Sequence, residues 1–380
     1  VSVDLPNFPR RAEWGRLNLI VASTRALTAK RLAEHWGGPG GPPFSVLLTD
    51  ACIAVVELLR EGEPFEFIGI QETEPPSYTL NPLLPANRIT TMFGDGGSGK
   101  GLLALAVALS VQERATLLRM APGPARGKVL YCDYEADRDE QSFRLQRLAA
   151  GADLTGWADI AYRRMFRPLH DEAAALRRYI DDNEITLCII DSLGAAISGD
   201  LNEANEIIRC YGVMRALRCT VLAIDHTSKG DSNGRPTGSN YKFHYSRAIW
   251  EVKKAAEAGT DDLRLALLNH KANNGRLALP RGYHFHFSGD DGPVRIAPLD
   301  LRSDDGLAKH TSVGSRILFM LRSGPLESTE LEEQLRIATP DLTDAAFRQA
   351  LKRLRDTGRI VVGIGGRYGL ASDRREEAGS

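Results

Sequence analysis

The sequence has few cysteines, and none of them is spaced as a metal or redox motif requires. Its five cysteines are scattered, odd in number and without a C-x-x-C pair, which argues against both a disulfide framework and a zinc site. They are Cys52, Cys132, Cys188, Cys210 and Cys219. Cys132 and Cys188 fall inside apolar, strand-like runs, so we expect buried and inert thiols there.

Long apolar runs and an excess of charge of one sign are also missing. The apolar run at residues 102–111 spans only about half of a bilayer, and the first residues contain no apolar segment of secretory type. Lys and Arg number 48 against 49 Asp and Glu, a formal net charge of −1, which excludes a histone-like polycation but not a local basic site. We therefore expect a soluble, cytoplasmic protein with no membrane partner.

The length of 380 residues favours two or three domains. We predict an N-terminal region of unknown role (1–80), an α/β domain (81–290), a linker (291–309), a small helical domain (310–372) and a disordered tail (373–380). In the first region, the pattern predicts a strand at 17–23 and helices at 28–36 and 51–60.

The α/β domain is predicted from apolar runs that alternate with helical stretches. Strands are predicted at 88–93, 128–133, 185–191 and 220–225, with helices between them. This alternation indicates a mainly parallel sheet with helices on both faces. Three later runs, at 248–252, 263–268 and 283–287, have no helices between them and are predicted to form an antiparallel extension.

A glycine-rich loop follows the first of these strands and opens a helix. Its residues are Gly94, Asp95, Gly96, Gly97, Ser98, Gly99, Lys100, Gly101 and Leu102. The glycines allow successive backbone N–H groups to surround an anion, and the helix adds its positive N-terminal end. Lys100 would reach the β and γ phosphates, so the loop predicts ATP binding. Gly101 departs from the motif, because Ser or Thr normally supplies a hydroxyl to Mg²⁺ there.

Acidic and polar residues follow three other predicted strands. Asp191 ends an apolar strand as a Walker B aspartate does and is the candidate Mg²⁺ ligand, the alternative being a turn cap. Glu135 follows a strand that ends in Asp133, and it is a candidate general base for the attacking water. His226 at the tip of the next strand is a candidate γ-phosphate sensor. The polar, glycine-rich residues 230–240 after it are a candidate DNA-contacting segment.

The order of these features resembles that of RecA-fold P-loop NTPases. The core is most similar to the RepA-like and DnaB-like hexameric helicase ATPases and their phage relatives. Segments of the same family are also similar to residues 238–242, 247–250 and 267–276. The resemblance covers roughly residues 80–290. It implies that Glu135 is the catalytic glutamate, Asp191 the Mg²⁺ aspartate and His226 the sensor. It also implies that Lys271 or Arg276 reaches the nucleotide of a neighbouring subunit.

Residues 310–372 have the pattern of a winged helix-turn-helix domain. Three predicted helices are followed by a hairpin with a Gly365-Gly366 turn. The third helix has an apolar stripe of Phe347, Ala350, Leu351 and Leu354, and its basic residues are Arg348, Lys352, Arg353 and Arg355. Such a helix could contact duplex DNA, although winged helices also serve protein contacts.

Two histidines, His284 and His286, share one face of a predicted strand. Their spacing would suit a metal, but no carboxylate or cysteine lies beside them in the sequence. We therefore expect a structural role for both.

Three functional hypotheses follow from these features. The first is an ATP- and Mg²⁺-dependent, hexameric DNA helicase or translocase that acts in replication on single-stranded DNA. The second is a RecA-like ATPase that binds single-stranded DNA in recombination and turns over slowly. The third is a non-hydrolysing nucleotide switch whose winged helix binds DNA or a protein.

Overall fold

The structure is a computed structural model that describes residues 19–36, 41–61, 75–157, 159–197, 203–227, 241–255, 262–273, 275–304 and 306–371. The chain divides into two compact units, Val1–Thr73 and Glu74–Ser380. The predicted tail at 373–380 lies outside the described residues. No helix in the described ranges combines the length and apolar character that a bilayer span requires.

Over residues 19–36 and 41–61, the described part of the first unit, the structure has two helices, α1 (Ala22–Trp36) and α2 (Phe44–Glu61). Ala29 and Leu32 of α1 are buried with Phe44 and Cys52 of α2. The strand predicted at 17–23 is not found over its described part, since residues 19–21 are non-helical and Ser23 belongs to α1. The period of the buried positions in α1 is helical, and burial of that face decides the local structure.

The second unit is built on a twisted, mainly parallel sheet. Its strands are β1 (Tyr78–Asn81), β2 (Leu84–Pro85), β3 (Ile89–Gly94), β4 (Ala121–Pro122), β5 (Lys128–Asp133), β6 (Ala161–Arg164), β7 (Ile185–Asp191), β8 (Thr220–His226), β9 (Ala248–Ala255), β10 (Asp262–Ala272), β11 (Arg281–Phe287), β12 (Val294–Leu299), β13 (Ile360–Val362) and β14 (Tyr368–Leu370). Among the described residues, nine strands form the main sheet in the order β12-β11-β10-β9-β3-β8-β7-β5-β6. Strands β3, β5, β6, β7, β8 and β9 run parallel.

Helices cover both faces of this sheet, as predicted. They are α3 (Lys100–Gln112), α4 (Arg138–Gly151), α5 (Leu169–Asn183), α6 (Leu193–Ala196), α7 (Ala204–Ala216) and α8 (Tyr241–Tyr245). One apolar core lies under α3 and α4, and a second lies under α5 and α7. The fold is therefore α/β, of the RecA-like P-loop NTPase class.

Strand β9 differs from the predicted antiparallel extension. It runs parallel to β3, and within the main sheet the antiparallel pairings are those of β9 with β10, β10 with β11 and β11 with β12. The chain returns from β8 through a connection that includes the five-residue helix α8, and this reversal gives β9 the same direction as β3. A connection with so short a helix has no clear helical period in the sequence.

The predicted domain boundaries also differ from the structure at two places. Tyr78–Asn81 forms β1 within the second unit, although residues 1–80 were predicted as a separate region. Val294–Leu299 pairs with β11 as strand β12, so the sheet continues into the predicted linker. The Gly- and Asp-rich residues before β12 make a hairpin turn, a composition that a linker shares.

The C-terminal part of the second unit has its own core. Within residues 306–371, the structure describes helices α9 (Val313–Met320), α10 (Ser328–Ala338) and α11 (Asp344–Asp356), followed by the β13–β14 hairpin. Ile317, Leu331, Phe347, Leu351 and Ile360 are among the residues buried there. The element order agrees with the expected one, and the winged-helix assignment stays a prediction.

Candidate nucleotide-binding site

The glycine-rich loop closes around the amino group of its own lysine. Gly97 and Gly99 have φ values of 68° and 84°, in the left-handed region that favours glycine. Lys100 is 5% exposed, and its Nζ donates to the carbonyl oxygens of Gly94 at 2.9 Å and Asp95 at 2.8 Å. The buried ammonium is thus held at the N-terminus of α3, where the backbone N–H groups also attract anions.

Asp191 lies at the end of β7 beside this lysine. It is 7% exposed, and its Oδ2 accepts a hydrogen bond of 2.7 Å from the hydroxyl of Tyr131. Burial raises the pKa of Asp191 to about 6, although the bond from Tyr131 opposes the shift. Burial likewise lowers the pKa of Lys100, against the attraction of Asp191 and Glu135. Both pKa shifts have the same main cause: burial removes water from the carboxylate of Asp191 and the ammonium of Lys100, which disfavours their charged forms.

The loop after β5 is arranged by Asp133. This buried carboxylate accepts from the backbone N–H groups of Glu135 and Ala136, both at 2.9 Å, and from Gln141 Nε2 at 2.7 Å. Asp133 is therefore occupied with holding the turn. The turn leaves the side chain of Glu135 48% exposed, so only the second carboxylate of the pair is available to a ligand.

Glu135 contacts His226, which lies at the end of β8. Glu135 Oε1 is 3.0 Å from His226 Nε2. Desolvation alone would raise the pKa of Glu135, but hydrogen bonds from Ser192 and His226 outweigh it and lower the pKa. Glu135 is thus a carboxylate at neutral pH, able to accept a proton.

A buried ion pair involves Asp225, the residue that precedes His226 on β8. Lys242 Nζ lies 2.7 Å from Asp225 Oδ2, and the side chains are 0% and 1% exposed. Asp225 Oδ1 also accepts from the backbone N–H of His226 at 3.0 Å. The pair joins residues on both sides of 228–240, which lie outside the described part of the chain.

These residues line one cavity of about 730 Å³. Four predicted site residues, Lys100, Glu135, Asp191 and His226, meet there together with loop residues 97–102. Its apolar wall is formed by Ile224, Leu263, Phe143 and Phe287, and its basic wall by Arg144 and Arg147. The carboxyl ends of the parallel strands meet at this edge, where ligands bind in open α/β sheets.

Lys271 and Arg276 lie elsewhere in the same chain. Neither is among the described residues that line the cavity. Strand β10 runs antiparallel to β9, so its first residues lie at the cavity edge, whereas Lys271 pairs with Ile249 near the start of β9. Lys271 Nζ donates to the carbonyl oxygens of Phe243 and His244 at 2.6 and 3.1 Å.

The residues of the cavity fit a nucleoside triphosphate with Mg²⁺. At Gly96 and Gly97, no heavy atom of the described chain lies within 4 Å of the place that a Cβ would take, so the loop faces open space. Lys100 offers a buried cation, and Asp191 an oxygen ligand of the kind Mg²⁺ prefers. Gly101 offers no hydroxyl, but a Cβ there would be 3.4 Å from Asp191 Oδ2.

Comparison with protein-family models agrees with a nucleotide-binding core. Residues 56–232 match the family described as "AAA domain". The chain has a RecA-like P-loop NTPase core. A KaiC-like protein from the hyperthermophilic archaeon Pyrococcus horikoshii OT3 is similar to this chain at 12% identity and a TM-score of 0.43, over 61% of this chain and 100% of that one. No curated protein matches the chain.

Sequence reasoning missed several residues that organise the P-loop core. Tyr131 and Ser192 hydrogen-bond to Asp191 and Glu135, and Lys242 pairs with Asp225. The alternation of β5 offered one signal, because Tyr131 is two residues before Asp133 and shares its face. The pairing of Asp225 with Lys242 had no such signal, because the two lie on different elements.

Proposed function

We propose that this chain is an ATP-hydrolysing DNA helicase or translocase of RepA-like type that acts in replication as a hexamer. The contact between Glu135 and His226 carries the proposal. It joins the candidate base to the end of the strand that precedes residues 230–240, the candidate DNA-contacting segment. A change at the γ-phosphate would then be passed to DNA through one hydrogen bond.

Each residue of the cavity has a role in the proposed hydrolysis. Lys100 binds the β and γ phosphates, and Asp191 holds the metal. Bound Mg²⁺ would supply charge neutralisation at the phosphates. Glu135 accepts the proton of the attacking water, and Ser192 and His226 hold its carboxylate in place.

The C-terminal domain supplies a candidate second DNA contact. The buried face of α11 contains Phe347, Leu351 and Leu354. Its basic residues are exposed: Arg348, Lys352, Arg353 and Arg355. Basic residues on the outer face of such a helix favour phosphate contacts, and the proposal assigns them to duplex DNA.

The hexamer is proposed from the placement of Lys271 and Arg276. Arg276 is exposed, and both residues are away from the cavity of their own chain. A role in hydrolysis would therefore need a neighbouring subunit. The proposal assigns one of the two to the nucleotide of that neighbour.

The first experiment measures nucleotide binding and DNA-stimulated ATPase activity. Lys100→Ala should abolish both, because it removes the buried cation at the phosphates. Lys128→Ala is the matched control, since that lysine is exposed and pairs with exposed Glu184. Affinity within about threefold of wild type, a cost below about 1 kcal/mol, would contradict the P-loop assignment.

A second experiment separates the helicase from the recombination ATPase. A strand-displacement assay and negative-stain images with ATP and single-stranded DNA should show directional unwinding and closed rings. Filaments without unwinding would instead favour the RecA-like function, which the missing hydroxyl at Gly101 supports because weak metal binding slows turnover. ATP binding without DNA-stimulated hydrolysis would favour the switch.

Mixed subunits test the proposed action across a boundary. Lys100→Ala subunits mixed with Arg276→Ala or Lys271→Ala subunits should regain some activity, because each supplies what the other lacks. The activity of each variant alone, at the same total protein concentration, gives the level expected without complementation. No gain above that level where rings form would contradict the proposal for that residue.

A further inference from the structure

The antiparallel edge of the sheet brings together two histidines and a carboxylate outside the nucleotide cavity. Asp262 begins β10, and His284 and His286 lie on β11. Asp262 pairs directly with His286 across the two strands. The sequence shows no acidic residue beside these histidines. Strand pairing brings Asp262 to them from about 20 residues away, because paired strands place opposite side chains about 5 Å apart.

The three side chains already converge on one point. Asp262 Oδ1 is 2.9 Å from His286 Nδ1 and 2.8 Å from His284 Nε2. The ligand atoms of all three lie within 4.8 Å of one another. His284 Nε2 is buried, and the oxygen of Asp262 that it contacts is the same one that His286 contacts. Two imidazole nitrogens thus face one carboxylate oxygen, a donor set of the kind that binds a divalent transition-metal ion.

We propose that Asp262, His284 and His286 bind a divalent transition-metal ion, with Zn²⁺ as the expected ion. Two imidazole nitrogens and one carboxylate oxygen are a ligand set that Zn²⁺ accepts, and imidazole selects against Mg²⁺ and Ca²⁺. Tetrahedral Zn²⁺ places its ligand atoms about 3.3 Å apart, which small side-chain rotations reach. The fourth position is left to water.

The surroundings favour an ion at this place. Neighbouring positions on β11, Tyr283 and Phe285, are buried in the core, so the backbone that holds the two histidines is fixed. Arg264 lies opposite His284, but its guanidinium donates to the buried carboxylate of Asp304 at 2.8 Å. The neighbouring positive charge is thereby neutralised and does not repel a cation.

The position of the site suggests its purpose. Leu263 and Phe287, each next to a ligand, line the nucleotide cavity. Because successive residues of a strand point to opposite faces, the ion lies on the face away from that cavity. The ion would cross-link β10 and β11 on the side of the sheet opposite the apolar wall of the nucleotide site.

Zinc affinity of the untagged, nucleotide-free chain tests the proposal. Excess Mg²⁺ is included to fill the proposed metal position at Asp191, and Zn²⁺ is titrated in competition with a chromophoric chelator. Wild type should bind one equivalent of Zn²⁺. The zinc affinities of Asp262→Asn, His284→Asn and His286→Asn should each be lower by about 100-fold or more, because the loss of even an indirect partner of a ligand lowers metal affinity 10–100-fold. His170→Asn is the matched control, because His170 also lies near an aspartate, at 3.7 Å, but belongs to no such cluster among the described residues.

Two further measurements distinguish the loss of a zinc ligand from misfolding of the variants. Zinc should raise the unfolding midpoint of wild type and His170→Asn, but not that of the three ligand variants. In wild type alone, zinc should protect His284 and His286, but not His170, from diethyl pyrocarbonate, as read by peptide mass spectrometry. Equal zinc affinity in wild type and the ligand variants, or equal modification with and without zinc, would overturn the site.

Discussion

Gly101→Ser is the substitution that best tests the proposed Mg²⁺ site of the P-loop core. Gly101 is the second residue of α3, in the first turn after Lys100. Outside its own helix, the only described heavy atom within 4 Å of a Cβ at this position is Asp191 Oδ2, at 3.4 Å. This is ordinary van der Waals contact, so serine fits without displacing the chain, and its hydroxyl lies beside the proposed metal ligand.

The expected gain is of the size of one hydrogen bond. A serine hydroxyl that replaces a water on Mg²⁺ should contribute about 0.5–1.5 kcal/mol. This corresponds to a two- to tenfold lower Mg²⁺ concentration for half-maximal ATPase activity, taking about 1.4 kcal/mol as tenfold. Serine also favours the helix over glycine by a few tenths of a kcal/mol, which raises the stability of α3 but supplies no ligand.

A magnesium titration of ATPase activity separates these two effects. Wild type, Gly101→Ser, Gly101→Thr and Gly101→Ala are compared with and without single-stranded DNA. Alanine is the control, because it adds the Cβ and the helix propensity without the hydroxyl. The reasoning is refuted if serine and threonine need as much Mg²⁺ as wild type or more, since another group would then already fill the ligand position.

Three further predictions concern the base, the metal ligand and the buried ion pair. Glu135→Gln should keep nucleotide binding but lower the ATPase rate about 10²–10⁴-fold, because an amide cannot accept the proton. Burial raises the pKa of Asp191 to about 6, so the Mg²⁺ requirement should rise as pH falls through about 6, and Tyr131→Phe should move this change to higher pH. Lys242→Met should cost about 3–5 kcal/mol in denaturant unfolding by leaving Asp225 unpaired, and adding Asp225→Asn should recover most of it.

Each of these has a contrary outcome. Normal turnover of Glu135→Gln would place the base elsewhere, and a pH dependence that Tyr131→Phe leaves unmoved would place the titration outside Asp191. The raised pKa of Asp191 also affects the pH dependence of folding stability. Because the folded-state pKa is raised to about 6, Asp191 contributes to stability below about pH 4, and this contribution is lost as pH rises through about 6. A double variant as unstable as Lys242→Met alone would mean that lost packing, and not the unpaired charge, is the cause.

Local chemistry explains why the P-loop could be predicted from the sequence. Its glycines and Lys100 are consecutive residues between a strand and a helix, and a loop of this kind is formed by its own backbone. The alternation of apolar runs with helical stretches likewise determined a parallel sheet. Asp191 and Glu135 were predicted for the same reason: Asp191 ends β7, Glu135 lies two residues after the end of β5, and strand ends of a parallel sheet meet at one edge.

Long-range pairing explains what the sequence could not determine. The direction of β9 depends on which side of β3 it joins, and the hydrogen bond from Tyr131 to Asp191 needs two strands in register. Asp262 and the two histidines are brought together by the register of β10 and β11 alone. Sequence by itself therefore determined the P-loop, the sheet class and the residues at its edge, since these depend on neighbours along the chain. Only the tertiary structure decided which distant side chains became partners, because strand register is set by the packing of the whole core.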